Sequence, residues 1–258
     1  MLRQDLGMLP PGDIRNCMEA LANTEPLMSE LMHYRFPEGV LAGQSFANLF
    51  LAALNGISGS FDEAVSRMSE VLAITGRVLP VTTADVQLVA EFENGASVTG
   101  ESKIFYCKKR EDCRIRRVRL SPENPKALPA ALAAIREADM IILGPGSLYT
   151  SIIPNLLVEG IVEAIQDSDA LKIYVCNVMT QEGETEGYTV SDHISALFHH
   201  SCRNLFDICL CNSSPIPKGV AAKYAQEGAS PLYADAGPCA ALGVEVITCE
   251  LAMRFLSD

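Results

Sequence analysis

The sequence predicts an α/β protein with a parallel sheet and flanking helices, and three features of its pattern carry this prediction. From residue 125 onward, helical segments alternate with short apolar runs, the rhythm of βαβ units. These runs are continuously apolar, as is typical of parallel strands covered on both faces. Between residues 86 and 104, two β-rich runs flank Asn94-Gly95, a strong hairpin signal, so an antiparallel hairpin insertion is expected in the middle third.

Amphipathic helices are predicted before the hairpin. Asp13 is expected to cap the first helix and Ser45 the second. A third is expected to start at Asp62, to turn Val65, Met68, Val71 and Leu72 toward the core, and to end near Gly76. Their apolar residues recur at helical spacing, which predicts one buried face for each helix.

After the hairpin, residues 115–120 alternate apolar residues with arginines and predict a further antiparallel strand. The cationic run Lys108–Arg119 is assigned to this hairpin or edge, where charge opposes strand-to-strand aggregation. The later elements are expected as helices over 127–138, 156–167 and 192–201 and strands over 139–143, 172–176 and 207–211. We expect one domain over residues 1–258, with the hairpin insertion at about 78–120.

Composition excludes several classes of function. The net charge of -12 disfavours nucleic acid or an anionic membrane as the main partner, because the field of the protein repels phosphate polymers. Nine cysteines without a C-x-x-C pair predict reduced thiols and a cytoplasmic location. The histidines lack metal-ligand spacing and no apolar segment is long enough to span a bilayer, so neither a metal site nor a membrane contact is predicted.

A loop rich in glycine and hydroxyl groups lies between a predicted strand and a predicted helix. Gly144 and Gly146 allow close approach of the backbone, and Ser147 adds a neutral donor, which favours an anion at this edge of a parallel sheet. A tight strand-to-helix connection with ordinary capping hydroxyls is the alternative. The sequence leaves both interpretations open.

The next two strands also end in polar residues. Asn177 is placed where its amide can contact a ligand, and Asn212 ends the third strand at the same edge. We therefore expect several strand ends to share one ligand site. The glutamates of the loop after Asn177 are expected in solvent, and His193 is expected to be a surface residue or a hydrogen-bonded polar residue rather than a base.

Arg15 and Asn16 occupy the first turn of the first predicted helix, beside free N–H groups suited to an anion. Arg15 is a candidate phosphate ligand on this ground. A pairing of Arg15 with Asp13 or Glu19 is the alternative interpretation.

Five blocks occur in order: GMLPPGDIRN at Gly7–Asn16, GQSFANLFLAAL at Gly43–Leu54, GRVLPV at Gly76–Val81, LGPGSLYTSIIPNLLV at Leu143–Val158 and CNVMTQEGETEGY at Cys176–Tyr188. With these blocks the chain resembles the YvcK-like gluconeogenesis factors, a branch of the CofD-like (2-phospho-L-lactate transferase) family. The resemblance extends from about residue 2 to about residue 235.

The resemblance implies a Rossmann-like core, a homodimer in the cytoplasm, and binding of a UDP-sugar such as UDP-N-acetylglucosamine. It also implies ligand contacts at Asn48, at the Gly144–Ser147 loop, at Asn177 with Thr180, and at Tyr224.

The chain departs from the family pattern in its first residues, at Gln44 and beyond about residue 235. Family members usually begin with a strand, a Gly-Gly-Gly-Thr-Gly loop and an Ala-Asp-Asp-Gly-Gly-Ser-Ser-Gly stretch, and this chain starts after them. We expect it to be N-terminally truncated relative to the family, either as a piece of a longer protein or by true loss of that segment.

Three functions follow as hypotheses. The first is a non-catalytic regulator that binds a nucleotide sugar, a role for which no catalytic residue is assigned. The alternative is a CofD-like transferase of a phosphorylated group, which would use Mg²⁺ as its cofactor. A truncated scaffold that dimerises without a ligand is the third.

Overall fold

The computed structural model describes residues 12–23 and 26–252, and its contacts divide the chain into two compact units, Met1–Asp85 and Val86–Asp258. Its α/β architecture, with a parallel sheet flanked by helices and a separate antiparallel sheet, confirms the predicted fold class. None of the helices in the described ranges is long and apolar enough to cross a bilayer.

The described part of the first unit is helical. Its helices are α1 (Gly12–Leu21), α2 (Pro26–His33), α3 (Phe46–Ile57) and α4 (Phe61–Val71). They bury one apolar cluster, formed by Met18, Met32, Ala47, Leu51, Leu54, Phe61, Ala64, Val65, Met68 and Leu72. Burial of this cluster removes apolar surface from water, which is the main stabilising contribution expected for such a unit.

The helix starts confirm the predicted cap Ser45, and they correct the predicted cap Asp13 and the predicted start at Asp62. Ser45 caps α3 as predicted, because its Oγ accepts the N–H of Asn48 at 3.2 Å. At α4 the cap is Ser60, whose extended backbone leaves its Oγ free to accept the N–H of Glu63, whereas Asp62 already lies in the first turn. Asp13 is likewise inside α1, which begins at Gly12.

The prediction that Val71 faces the core was also wrong. Val71 is the last residue of α4 and is 52% exposed. The other three residues predicted to face the core, Val65, Met68 and Leu72, are buried as expected, so the error is confined to Val71.

The second unit begins with an antiparallel sheet of strands β1 (Gln87–Phe92), β2 (Ser97–Thr99) and β3 (Ile115–Ser121) in the order β2-β1-β3. The predicted hairpin joins β1 to β2, and Gly95 has a φ of +87° in its turn. The predicted strand over 115–120 is also present and pairs with β1.

The cationic run does not form a hairpin throughout. Residues Glu101–Glu111 form helix α5, so Lys108, Lys109 and Arg110 lie on a helix and not on the predicted hairpin or edge strand. The helix forms because Ile104 and Cys107, three residues apart, bury one face. The arginines at 116, 117 and 119 do lie on β3, where they contact the carboxylate of Glu91 at 2.7, 2.8 and 3.4 Å.

The parallel sheet has the order β4-β5-β6-β7. Its strands are β4 (Met140–Leu143), β5 (Leu171–Val175), β6 (Ile208–Asn212) and β7 (Glu245–Cys249), and its helices are α6 (Pro129–Arg136), α7 (Ile153–Leu156), α8 (Ile161–Asp167), α9 (Val190–His200), α10 (Lys218–Gln226) and α11 (Ala236–Ala241). The helix predicted over 156–167 starts earlier and is interrupted. A π-helical turn over Leu148–Ile152 runs into α7, and α8 follows Gly160, whose φ is +93°.

Candidate ligand site at the carboxyl ends of the parallel strands

The predicted strand-end residues lie at one edge of the sheet. Because β4, β5 and β6 are parallel neighbours, their carboxyl ends point the same way. Gly144 and Gly146 follow β4, Asn177 lies two residues after β5, and Asn212 is the last residue of β6. The topology therefore gathers residues that are far apart in sequence.

Gly146 and Asn177 are joined by a reciprocal pair of hydrogen bonds. The N–H of Gly146 donates to Asn177 Oδ1 at 3.2 Å, and Asn177 Nδ2 donates to the carbonyl of Gly146 at 2.9 Å. The Asn177 amide, predicted to contact a ligand, is thus engaged in shaping the loop after β4.

Gly144 is required by the same loop. Its φ is +77°, and a Cβ at this position would lie 3.0 Å from both Ile152 Cδ1 and the carbonyl oxygen of Val175. A side chain would be strained by the backbone conformation and crowded by its neighbours. The loop can therefore lie flat against the end of β5 only with glycine here.

A buried carboxylate lies behind this loop. Glu184 is 5% exposed, and its oxygens accept the N–H of Tyr149 at 3.1 Å and the hydroxyl of Thr150 at 2.7 Å. Gln181 Nε2 donates to the same carboxylate at 3.3 Å. Burial raises the pKa of Glu184, and the bonds from Thr150 and Tyr149 oppose the rise. The prediction that the loop glutamates are solvated was wrong for Glu184, because the π-helical turn supplies it with donors.

Ser147 connects the loop after β4 to this carboxylate. Its hydroxyl donates to Gln181 Oε1 at 2.8 Å, and the other end of the Gln181 amide contacts Glu184. Within residues 12–23 and 26–252, the backbone N–H of the partly exposed Ser147 has no hydrogen-bond partner, whereas the neighbouring Leu148 is fully buried. Such an N–H group is suited to an anion.

Two further predicted residues are engaged with the protein itself. Thr180 is 4% exposed and its Oγ1 accepts the N–H of Ser230 at 2.8 Å. Asn212 Oδ1 accepts the N–H groups of Ser214, Leu251 and Ala252 at 3.1, 3.2 and 3.1 Å. Both side chains fix the edge on which the site is built.

The loop over 181–188 is fastened to α5. Lys108 pairs with Glu186 at 3.1 Å and Lys109 with Glu182 at 3.0 Å. A Cβ on Gly183 would overlap Phe105 Cδ2, so the backbone of the loop rests directly on this ring. The loop that carries Glu184 is therefore held by α5 through these contacts, in addition to the hydrogen bonds that Glu184 makes with the π-helical turn.

Buried aromatic and histidine side chains adjoin the loop. The Tyr149 and Tyr188 hydroxyls are 2.8 Å apart, and burial raises the pKa of both phenols. His193, expected at the surface or satisfied by hydrogen bonds, is fully buried and packs against Tyr188. Its Nδ1 lies 2.9 Å from the Thr189 carbonyl, Nε2 has no partner among the described residues, and burial lowers its pKa.

Three predicted residues of the first unit cluster around Ser45. Arg15 Nη1 donates to Ser45 Oγ at 3.4 Å and Nη2 donates to Asn16 Oδ1 at 2.6 Å. Asn48 Oδ1 is buried and without a partner in the described ranges. Arg15 also lies 3.7 Å from Glu19, so the alternative pairing exists beside the polar cluster.

Tyr224 lies on α10 and is 40% exposed. It lines an open depression of about 380 Å³ together with Gly219, Val220, Lys223 and Glu227. A tyrosine ring at such a rim has the exposure that stacking on a planar ligand requires.

In the part of the chain that the structure describes, no group of three or more His, Cys, Asp or Glu side chains is placed to hold a metal ion.

These features define an α/β protein whose polar, glycine-containing loops meet at the carboxyl edge of a parallel sheet. The family model described as "2-phospho-L-lactate transferase CofD" matches residues 1–252. The chain belongs to the CofD family and to its YvcK-like branch of gluconeogenesis factors.

Relatives support this assignment over most of the chain. A relative from Thermoanaerobacterium thermosulfurigenes is 54% identical over 255 residues, 98% of this chain and 79% of that protein. The gluconeogenesis factor of Bacillus subtilis is 49% identical over 247 residues, 95% of this chain and 77% of that protein. Relatives from Clostridium acetobutylicum and Nostoc are longer, and the chain spans 54% of each.

A solved structure supports the fold. The crystal structure of a protein from Bacillus halodurans has a TM-score of 0.91 and 47% identity, and the match covers 96% of this chain and 79% of that one. The chain therefore shares its fold with this protein over nearly its whole length.

Proposed function

We propose that the chain is a cytoplasmic regulatory protein that binds a nucleotide sugar, such as UDP-N-acetylglucosamine, and acts as a gluconeogenesis factor affecting carbon metabolism and cell shape. The observation that carries the proposal is the loop after β4. There the N–H of the partly exposed Ser147 has no partner among the described residues, and the Gly146–Asn177 pair fixes the backbone. A fixed backbone amide of this kind suits a diphosphate.

The chemistry of the surrounding side chains favours binding over catalysis. Three groups near the loop could carry a proton, and all are buried: Tyr149 is engaged with Tyr188, His193 with the Thr189 carbonyl, and Glu184 with donors of Tyr149, Thr150 and Gln181. Hydroxyls and amides can recognise a sugar nucleotide without reacting with it. Tyr224 lines a depression whose other lining residues, Gly219, Val220, Lys223 and Glu227, all lie on or directly after α10, and we assign it to the nucleotide from the family resemblance. The nine cysteines are free thiols, which supports a reducing, cytoplasmic setting.

The competing proposal is a transferase of a phosphorylated group, which the description of the family model supports. Such a reaction would place Mg²⁺ on the diphosphate of a nucleotide-linked substrate. Among the described residues, no group of three or more His, Cys, Asp or Glu side chains is placed to hold this ion. Turnover of a nucleotide-linked substrate with Mg²⁺ would favour the transferase over the regulator.

The test is calorimetric titration with UDP-N-acetylglucosamine, supported by its effect on the melting temperature. A ligand that binds only the native state raises the melting temperature by mass action. We expect Tyr224→Ala to weaken binding because the ring at the rim is lost. Tyr233→Ala, which changes a more exposed tyrosine of the same unit, is the matched control.

Equal affinity of Tyr224→Ala and Tyr233→Ala would show that the assignment of Tyr224 is wrong. Absence of any heat or melting shift with the nucleotide sugar would contradict the proposed function. We further expect a homodimer, which light scattering measures directly; a dimer that binds no nucleotide sugar would favour the scaffold.

A further inference from the structure

The carboxylate of Glu184 occupies donors next to the loop where the proposed ligand would place its diphosphate. It accepts hydrogen bonds from the Tyr149 N–H and the Thr150 hydroxyl, and it is linked to the Ser147 hydroxyl through the amide of Gln181. The protein thus holds one negative charge, shielded from water, two hydrogen bonds away from Ser147.

An anionic ligand bound beside Ser147 would be repelled by the negative charge of the Glu184 carboxylate. Two like charges in one poorly solvated site cannot both remain ionised without cost, and the usual result is that one of them takes up a proton. A diphosphate diester has no proton to gain near neutral pH, so the carboxyl group is the partner that responds.

We propose that Glu184 takes up a proton when an anionic ligand binds at the Gly146–Ser147 loop, so that ligand binding and protonation of this side chain are coupled. The inference rests on the proposed function, because it needs a diphosphate or another small anion on the loop. The proton comes from the solvent, and the O–H bond that it forms with the Glu184 carboxylate is the one covalent change in the protein.

The neighbouring charges agree with this role. Glu101 on α5 and Glu186 on the same loop add negative potential at Glu184, while the Tyr149 phenol is hydrogen-bonded to Tyr188 and only the Tyr149 N–H reaches the carboxylate. Lys108 is paired with Glu186 at 3.1 Å. Glu184 therefore binds a proton more readily than a glutamate in water, and burial raises its pKa before any ligand arrives.

The experiment is isothermal titration of the whole chain with UDP-N-acetylglucosamine from pH 5.5 to 8, in pairs of buffers with different ionisation enthalpies. The dependence of the observed heat on the buffer gives the number of protons taken up. We expect uptake approaching one proton, and an affinity that falls by up to about tenfold per pH unit where the bound protein holds the proton and the free protein does not.

Glu184→Gln keeps the shape of the side chain and removes its charge. We expect no proton uptake, an affinity independent of pH, and binding at pH 8 that is about tenfold tighter than in the unchanged protein. Glu182→Gln is the matched control, since Glu182 lies on the same loop but pairs with Lys109 instead of the π-helical turn. It should keep the pH dependence of the unchanged protein.

A second variant covers the case in which Glu184→Gln does not fold. Thr150→Ala removes a hydrogen bond that favours the ionised carboxylate, so the pH of maximal proton uptake should rise. An unchanged profile in Thr150→Ala would contradict the coupling.

Failure of this inference can be distinguished from failure of the proposed function. Binding without proton uptake, or with equal uptake in Glu184→Gln, overturns the role of Glu184 and leaves nucleotide-sugar binding intact. If the nucleotide sugar does not bind, sulfate decides the matter. A larger sulfate-induced rise in melting temperature for Glu184→Gln than for Glu182→Gln supports competition for an anion site, and equal rises refute it.

Discussion

At the scale of single residues, Gly183 is the position where backbone conformation and packing together exclude a side chain. Its φ is +81°, and an added Cβ would overlap Phe105 Cδ2 and lie 3.0 Å from Phe105 Cα. We expect Gly183→Ala to lower the free energy of unfolding by more than about 2 kcal/mol, from the left-handed conformation and the overpacking combined. Chemical denaturation measures the loss.

Gly187 supplies the control for this substitution. It also has a positive φ, of +70°, but a Cβ added to it would have no neighbouring atom within 4 Å. Gly187→Ala should cost only the conformational part, about 1 kcal/mol. Similar losses in the two variants would show that contact with Phe105 does not constrain the loop.

One buried and one partly buried histidine, His193 and His200, predict a loss of stability in acid. His200 is neutral in the native state: its Nε2 accepts the N–H of Val118 at 2.9 Å, and its Nδ1 donates to the Ala196 carbonyl at 2.7 Å. Burial lowers the pKa of His200 and of His193 below the ordinary value of 6.5. Below that pH the unfolded chain binds protons that the native protein does not, so stability falls as the pH falls.

Each of these histidines can contribute up to about 1.4 kcal/mol per pH unit. We expect a flatter stability profile between pH 6.5 and 5 in the double variant His193→Gln/His200→Gln than in the unchanged protein. The exposed His33→Gln is the control. Urea denaturation at a series of pH values checks this, and parallel profiles for all three proteins would contradict it.

Glu91, a carboxylate on the antiparallel sheet, takes up its proton at a lower pH than the histidines do. Hydrogen bonds from Arg117 and Arg116 lower the pKa of Glu91 from 4.5 to about 2. The native protein therefore resists protonation there, and this contribution is present above pH 4.5 and is lost as the pH falls toward 2. Measurements above pH 5 consequently report the histidines without interference from Glu91.

The sequence predicts where residues lie better than it predicts what they contact. Asn177 and Asn212 were placed correctly at the sheet edge, because the carboxyl ends of parallel strands must coincide. The burial of Glu184 could not be read from its polar loop, since its donors lie on Tyr149 and Thr150, more than 30 residues earlier. The pairing of Thr180 with Ser230 is hidden for the same reason.

At the scale of elements, the start of α9 is stabilised by a capping box. The N–H of Asp192 donates to Thr189 Oγ1 at 3.2 Å, and the N–H of Thr189 donates to Asp192 Oδ2 at 2.9 Å. Thr189→Ala should lower the free energy of unfolding by about 1 kcal/mol, while Thr189→Ser keeps the hydroxyl and should be near neutral. Thermal or chemical unfolding measures both, and equal losses would show that the cap is not the cause.

The elements that were predicted have strong local signals, and those that were missed depend on context. The Asn94-Gly95 turn and the apolar run of β5 can each be recognised from a few neighbouring residues of the sequence. Helix α5 does not, because its cations suggested an exposed strand and only packing of Ile104 and Cys107 decides for a helix. Strand β7 was not predicted because its residues, Glu245–Cys249, mix polar with apolar side chains and are mostly exposed. The expectation that the family resemblance ends near residue 235 was also wrong, since the family model matches through residue 252.

At the scale of the whole molecule, the prediction of a single domain remains a prediction, and the division into two compact units supplies a way to test it. The second unit, Val86–Asp258, contains both sheets. Its core includes the fully buried Tyr174 and Phe206, whose rings lie 5.4 Å apart. A unit of this size with its own core is large enough to fold alone.

We therefore expect a fragment of residues 86–258 to unfold cooperatively on heating, with a circular dichroism spectrum that contains both helix and strand. A two-state transition is the usual behaviour of one domain and requires tertiary packing rather than isolated helices. The whole chain, measured under the same conditions, is the reference. A fragment that melts without a cooperative transition would favour the single domain, because the sheets would then need residues before Val86 for their stability.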